Sequence, residues 1–168
     1  MMSARMPSDT AITAAAAVAD TLELAAEVAG LAEHLRATRP GIVWIPEMLA
    51  KREVIQILSH ATVFACPSLY EPLGIVNLEA MACGTAVVGS RVGGIPEVVA
   101  EGVTGLLVPP GDPEALGLAL SELVQDPARA AEMGRLGRER AIAEFSWTTI
   151  AAQTAQLYSE LAPTVAPG

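Results

Sequence analysis

Aromatic side chains make up only 4% of this 168-residue chain, although 52% of it is apolar. The apolar share is mostly Ala and Val, which suits small-residue α/β packing and excludes an aromatic-lined binding platform. Basic residues are also scarce. Ten Lys and Arg stand against 19 Asp and Glu, for a net charge of −9, and no basic cluster occurs, which argues against nucleic acid as a partner. The two cysteines, Cys66 and Cys83, lack metal-ligand spacing. One closes an expected strand and the other an expected helix, so both read as reduced, packed thiols of a cytoplasmic protein. No run approaches the ~18 apolar residues of a membrane span. Arg5 followed by Ala11–Ala19 only imitates a secretory leader, because Asp9 interrupts it and Asp20 follows without a small-residue cleavage site.

What the chain does have is a regular alternation of strand and helix signals, over a length that suits one domain with a real core. Residues 1–9 read as a loose terminus, 10–161 as the folded part and 162–168 as a loose tail. An Ala, Leu and Glu-rich stretch from about Thr10 to Thr38 favours helix, with Asp9 or Thr10 as cap and Arg36 and Arg39 at its end; Pro40-Gly41 stops it. Ile42–Ile45 reads as a strand and Leu49–Leu58 as a helix. Val63–Ser68 reads as a buried strand ending at a turn, a helix begins near Leu73, and Thr85–Gly89 is another strand. A short helix over Ile95–Ala100 and a strand over Gly105–Val108 follow. Asp112-Pro113 and Asp126-Pro127 each open a helix in cap-then-proline fashion, ending near Gln125 and Glu144. Ser146 caps a last helix to about Leu161, whose Trp147, Ile150, Ala151, Thr154, Leu157, Tyr158 and Leu161 form one apolar stripe. About four strands alternating with helices predict an α/β fold, a partial Rossmann-like parallel sheet with helices on both faces.

The most informative stretch is Tyr70-Glu71-Pro72-Leu73-Gly74-Ile75-Val76-Asn77-Leu78-Glu79-Ala80-Met81-Ala82-Cys83-Gly84. A strand, a glycine turn and a helix N-terminus make an anion site, because free backbone N–H groups and the helix dipole point at the ligand. Glu71 stands just before the helix, beyond the carboxyl end of a strand, where open α/β sheets bind ligands. Glu79 shares part of an expected apolar face with Ile75 and Ala82. It is either paired, with ribose hydroxyls or a backbone N–H, or half-buried and reaching water. His34 and His60 lie on helices, and a C-terminal cationic or capping role is the plainer account of both.

The Glu71…Glu79 motif resembles the retaining, nucleotide-sugar-dependent glycosyltransferases of family four, which have the GT-B fold of two Rossmann-like domains facing across a cleft. Gly93-Gly94-Ile95-Pro96-Glu97-Val98-Val99 and Gly102–Asp112 agree with it. Trp44-Ile45-Pro46-Glu47-Met48-Leu49 and Ser59-His60-Ala61-Thr62 resemble the bacterial glycogen synthase branch, particularly its actinobacterial members. The resemblance covers roughly residues 41–161. It implies transfer of a glucosyl group from a nucleotide sugar, with ADP-glucose as donor, to an α-glucan or related acceptor, with no metal or other cofactor. Glycogen, a maltose-type phosphorylated sugar and a small lipid or inositol acceptor all stay open.

By the same resemblance, Glu79 would accept hydrogen bonds from the donor's ribose hydroxyls, and Glu71 would lie against the donor sugar or its departing diphosphate as the catalytic carboxylate. The backbone N–H groups of Leu73, Gly74 and Ile75 would hold phosphate, Gly93 and Gly94 would border the cleft, and Arg91 would be the nearest basic side chain. Met48 and Leu49 fall where relatives bind the base, though neither offers a flat ring. The pattern departs from the family at one place. Residues 1–39 contain no Gly-Arg followed by Lys-Gly, the basic pair that grips the diphosphate in relatives. The expected picture is the carboxyl-terminal part of a larger enzyme, inactive by itself, with the acceptor domain absent and a carboxyl-terminal helix free to self-associate. A non-catalytic nucleotide-binding or interaction domain is the alternative. A generic dinucleotide domain is disfavoured, because no Gly-x-Gly-x-x-Gly turn follows a first strand.

Overall fold

The computed structural model describes residues 13–14 and 22–161. The chain divides into two compact units, Met1–Ala50 and Lys51–Gly168, where the sequence suggests a single one over 10–161.

In the first unit, strand β1 (Thr13–Ala14), helix α1 (Leu22–Arg36) and strand β2 (Val43–Trp44) form a βαβ arrangement. β1 and β2 pair in parallel, Thr13 opposite Val43 and Ala14 opposite Trp44. This corrects the expectation of continuous helix from Thr10. The alanines there favour helix, but a strand partner outweighs so weak a propensity. Asp9 and Thr10, read as caps, lie outside the described residues. The end of α1 agrees with its basic signature, since Arg36 Nε donates to the Ile42 carbonyl at 2.9 Å.

The second unit runs α2 (Lys51–His60), β3 (Val63–Cys66), α3 (Ile75–Ala82), β4 (Ala86–Ser90), α4 (Ile95–Val98), β5 (Gly105–Val108), α5 (Pro113–Gln125), α6 (Pro127–Phe145) and α7 (Trp147–Leu161). Its three strands are parallel in the order β3-β4-β5. Val63 lies opposite Ala86 and Cys66 opposite Gly89; Val87 lies opposite Gly105 and Ser90 opposite Val108. β4 is the central strand and is buried throughout. Its side chains alternate between two cores, as the pleat requires. Val87 faces Leu58, Ala80, Met81, Ile95, Val98 and Ala141. Ala86 and Val88 face Val108, Ala119, Leu123, Ala130 and Met133. Helices therefore cover both faces, and α6 contributes to both. β3, expected to be buried, is half-buried along most of its length because, among the described residues, it pairs with a strand on one side only.

Small residues bring α6 onto the end of α3. A Cβ on Gly134 would lie 2.0 Å from the Gly84 carbonyl oxygen, and the Arg138 guanidinium donates to the Ala82 carbonyl. Arg140 donates to the Val98 and Glu97 carbonyls at 3.1 and 2.9 Å, tying α4 to α6. The caps of α5 and α6 are as read from sequence: Asp112 Oδ1 accepts from Ala115 N–H at 2.9 Å and Asp126 Oδ1 from Arg129 N–H at 3.0 Å. Ser146 Oγ accepts from Thr149 N–H at 3.2 Å. No residue of α7 is buried, and Trp147 is 85% exposed. Among the described residues, no helix is long and apolar enough to cross a membrane.

Candidate functional site

The site is built where two loops leave the carboxyl ends of β3 and β4. The Glu71–Gly74 turn follows β3, and Gly93-Gly94 follows β4. They meet backbone to backbone. Gly94 N–H donates to the Glu71 carbonyl at 3.1 Å. Gly93 sits at φ 54°, and a Cβ there would lie 1.8 Å from the same carbonyl oxygen; one on Gly94 would lie 2.6 Å from the Pro72 oxygen. A side chain at either position would drive the loops apart.

The turn folds the Glu71 side chain back over the start of α3, where Oε1 accepts from Gly74 N–H at 2.9 Å. Gly74 is the N-cap, at φ 87°. The next two N–H groups, of Ile75 and Val76, have no acceptor among the described residues. They are the free donors of a helix N-terminus, with the dipole's positive end behind them. The sequence expectation named Leu73, Gly74 and Ile75 as phosphate-holding donors. The helix begins two residues later than Leu73, Gly74 already serves the Glu71 carboxylate, and Ile75 with Val76 remains open.

Helix α3 turns its face opposite to the expected one. Asn77, Ala80 and Met81 are its buried residues, whereas Ile75 is 62% exposed and Val76 37%. Glu79 lies on the exposed side with them and has no side-chain partner among the described residues. The expectation that it shares part of an apolar face with Ile75 and Ala82 is thereby corrected, because the residue that enters the core is polar Asn77, and of the alternatives left open for Glu79 the structure shows it reaching water. Leu69, Tyr70 and Leu73 are exposed beside the turn, so the Glu71 carboxylate stands beside a solvent-facing apolar rim.

Of the sequence candidates, the structure brings Glu71, Leu73, Gly74, Gly93 and Gly94 together, with Ile75 at the first position of α3 and Glu79 one turn further along its outer face. Arg91 goes elsewhere: its guanidinium pairs with Glu101, whose other oxygen accepts from Leu107 N–H at 3.3 Å. Met48, 84% exposed, and half-buried Leu49 belong to the Met1–Ala50 unit. His60 Nδ1 lies 2.8 Å from the Gln56 carbonyl, a helix-end contact.

Two features escaped sequence reasoning. One is a shallow cavity of about 170 Å³ at the carboxyl ends of the strands, lined by Pro67, Ser90, Val108, Pro109, Asp112 and Leu116 among others. It includes none of the Glu71 turn, and its one carboxylate is already the cap of α5, so the turn is the better candidate. The other is Asn77, 0% exposed, with neither atom of its carboxamide hydrogen-bonded. A polar residue between apolar Val76 and Leu78 on a buried helix was the available signal.

The three-strand parallel sheet flanked by helices, with two loops meeting at the carboxyl ends of its strands, has the architecture of GT-B glycosyltransferases, as comparison with known proteins shows. Residues 17–140 match the family described as Glycosyl transferases group 1, and the chain belongs to that family. It is 53% identical over 163 residues to alpha-maltose-1-phosphate synthase of Mycolicibacterium smegmatis, covering 94% of this chain and 42% of that protein. It is 40% identical over 124 residues to glycogen synthase of Mycobacterium tuberculosis, covering 74% and 29% respectively. Among solved structures, sucrose-phosphate synthase of Thermosynechococcus elongatus superposes with a TM-score of 0.73 at 40% identity, over 81% of this chain and 34% of that one. Anabaena HepE in complex with UDP-glucose gives 0.64 at 29%, over 80% and 37%. The chain thus spans well under half the length of these relatives.

Proposed function

We propose that this chain carries the donor-binding part of a retaining glycosyltransferase that moves a glucosyl group from ADP-glucose to an α-glucan or a related phosphorylated sugar. The observation that carries the reading is the Glu71 turn, which sets a carboxylate and the free N–H groups of Ile75 and Val76 at one helix start. The donor's diphosphate would be held by those N–H groups. Glu79, on the same outer face one turn further, would take the two ribose hydroxyls on its two oxygens.

In the transfer, the bond from the sugar's anomeric carbon to the diphosphate oxygen breaks and a bond to the acceptor oxygen forms on the same face. The acceptor's proton passes to the departing diphosphate. No protein nucleophile is needed, and the protein's share is electrostatic stabilisation of negative charge on the leaving group. Glu71, beside that charge, orients the turn and the sugar. The 53% identity to a maltose-1-phosphate synthase favours a phosphorylated sugar acceptor over a lipid.

Calorimetric titration tests donor binding. ADP and ADP-glucose should bind in the high micromolar range or weaker, since each missing charge-assisted phosphate contact costs roughly 1.5–3 kcal/mol, about ten- to a hundredfold in affinity. Glu79→Ala should weaken binding further. Absence of binding at millimolar ADP would refute the donor role, and submicromolar binding would refute the view that contacts are missing. A non-catalytic nucleotide-binding role is the second reading, favoured by the Glu71 carboxylate's occupation of Gly74 N–H; glucosyl transfer by this chain would exclude it.

A further inference from the structure

Asn77 poses a physical problem that the donor site alone does not explain. Its carboxamide is fully buried and makes no hydrogen bond, and leaving both atoms unpaired is costly enough that native proteins rarely do it. The group lies directly beneath the Glu71–Gly74 turn, since its Nδ2 is 2.5 Å from where a Cβ on Gly74 would be. Ile95, from the companion loop's helix, packs on the same point at 3.4 Å. The carbonyls of Pro72 and Leu73, whose oxygens lie 2.6 and 3.2 Å from where a Cβ on Gly94 would be, accept no hydrogen bond among the described residues. An unused donor and unused acceptors therefore flank one turn whose pivot is a glycine, without meeting in this setting.

The Leu73–Gly74 peptide carries both groups that matter. Its N–H is held by Glu71 Oε1 at 2.9 Å, and its C=O is unpaired. Because the two point in opposite directions on one plane, any rotation that releases the N–H toward an arriving anion also redirects the C=O. Glycine at φ 87° permits that rotation at little steric cost.

We propose that Asn77 is a positioning residue that stabilises a second setting of this turn. In it, the Leu73–Gly74 peptide has rotated, the Leu73 carbonyl accepts from Asn77 Nδ2, and Gly74 N–H joins those of Ile75 and Val76 on a nucleoside diphosphate. In the described setting, Glu71 Oε1 holds the Gly74 N–H and Asn77 waits unpaired. The ligand shifts the balance because it binds the second setting better. This deepens the donor-binding reading and rests on it only for the identity of the anion.

Two variants and two readouts test it. Asn77→Leu and Asn77→Ala are compared with the wild-type chain by thermal melting without ligand and by calorimetry with ADP. Asn77→Leu removes two unsatisfied groups while filling their volume, so the unliganded variant should melt no lower than wild type, yet bind ADP about tenfold more weakly. Asn77→Ala should show the same loss of affinity whatever its stability. Independently of any ligand, Glu71→Ala should free Gly74 N–H and let the turn adopt its second setting. The Asn77 side-chain amide protons should then shift downfield and exchange more slowly in NMR spectra. A Leu variant that is strongly destabilised but binds ADP like wild type would make Asn77 the partner of a buried water and overturn the proposal, as would unchanged Asn77 amide signals in Glu71→Ala. If the wild-type chain binds no ADP, the donor reading fails, and the Glu71→Ala spectra still decide whether the turn has two settings.

Discussion

Replacing Gly93 by alanine should disconnect the two loops of the site, and the size of the effect can be worked from the contacts. The new Cβ would sit 1.8 Å from the Glu71 carbonyl oxygen and 2.8 Å from its carbon, backbone atoms that cannot turn aside as a side-chain tip could. Alanine at φ 54° costs about 1–2 kcal/mol for the left-handed conformation. Separating the loops breaks the bond from Gly94 N–H to the Glu71 carbonyl, worth about 0.5–1.5 kcal/mol. The total is roughly 1.5–3.5 kcal/mol, which would lower a urea midpoint by about 1–2 M. Gly102→Ala is the control, because that glycine also has positive φ, 72°, but nothing within 4 Å of a Cβ, so it carries only the conformational cost. Urea melts of both variants, followed by tryptophan fluorescence and circular dichroism, measure the difference. If Gly93→Ala and Gly102→Ala cost the same within 0.5 kcal/mol, a value near the usual additivity error, the close approach of the loops contributes nothing and the reasoning fails.

Asp112→Ala should cost about 1 kcal/mol by removing the cap on Ala115 N–H, whereas Asp112→Asn should cost little; chemical denaturation distinguishes them. The Glu132 carboxyl is held below the ordinary glutamate range, chiefly by the hydrogen bond from Arg135 and further by that residue's charge. Because the folded pKa is the lower one, the small stabilisation is present above the ordinary carboxylate value and fades as pH falls through the folded value. Carbon-13 titration should show this, with Arg135→Gln moving Glu132 back up. Helix α7, none of whose residues is buried and whose Trp147, Leu157, Tyr158 and Leu161 are exposed, should promote self-association at high protein concentration; a monomer at every concentration in light scattering, with α7 amides strongly protected, would contradict this.

Much of the second unit was legible because its signals are local. Asp112-Pro113 and Asp126-Pro127 mark helix starts through caps that need no tertiary partner. Gly105–Val108 stands as read, bounded by glycine and proline. What escaped depended on partners distant in sequence. β1 exists because Val43-Trp44 offers it an edge, which its own alanines do not announce. The phase of α3 misled for a different reason. Periodicity assumes that apolar residues point inward, but here Ile75 and Val76 face out and Asn77 faces in. Sequence-level consistency fails at functional sites more than elsewhere, and the inversion on α3 falls on the helix that carries Glu79.

Helix α6 has a consequence for how the second unit comes into being. Ala130 and Met133 complete one core, Ala141 belongs to the other, and Gly134 and Arg138 lock the end of α3. A growing chain that has reached β5 has all three strands of this sheet but neither face closed, so its apolar surfaces stay open to water or to chaperones until residues near 141 have emerged. The two faces then gain their last contacts from one rigid rod, and they should unfold together rather than in sequence. Amide exchange would register this as a single opening reaction shared by β4, α3 and α6.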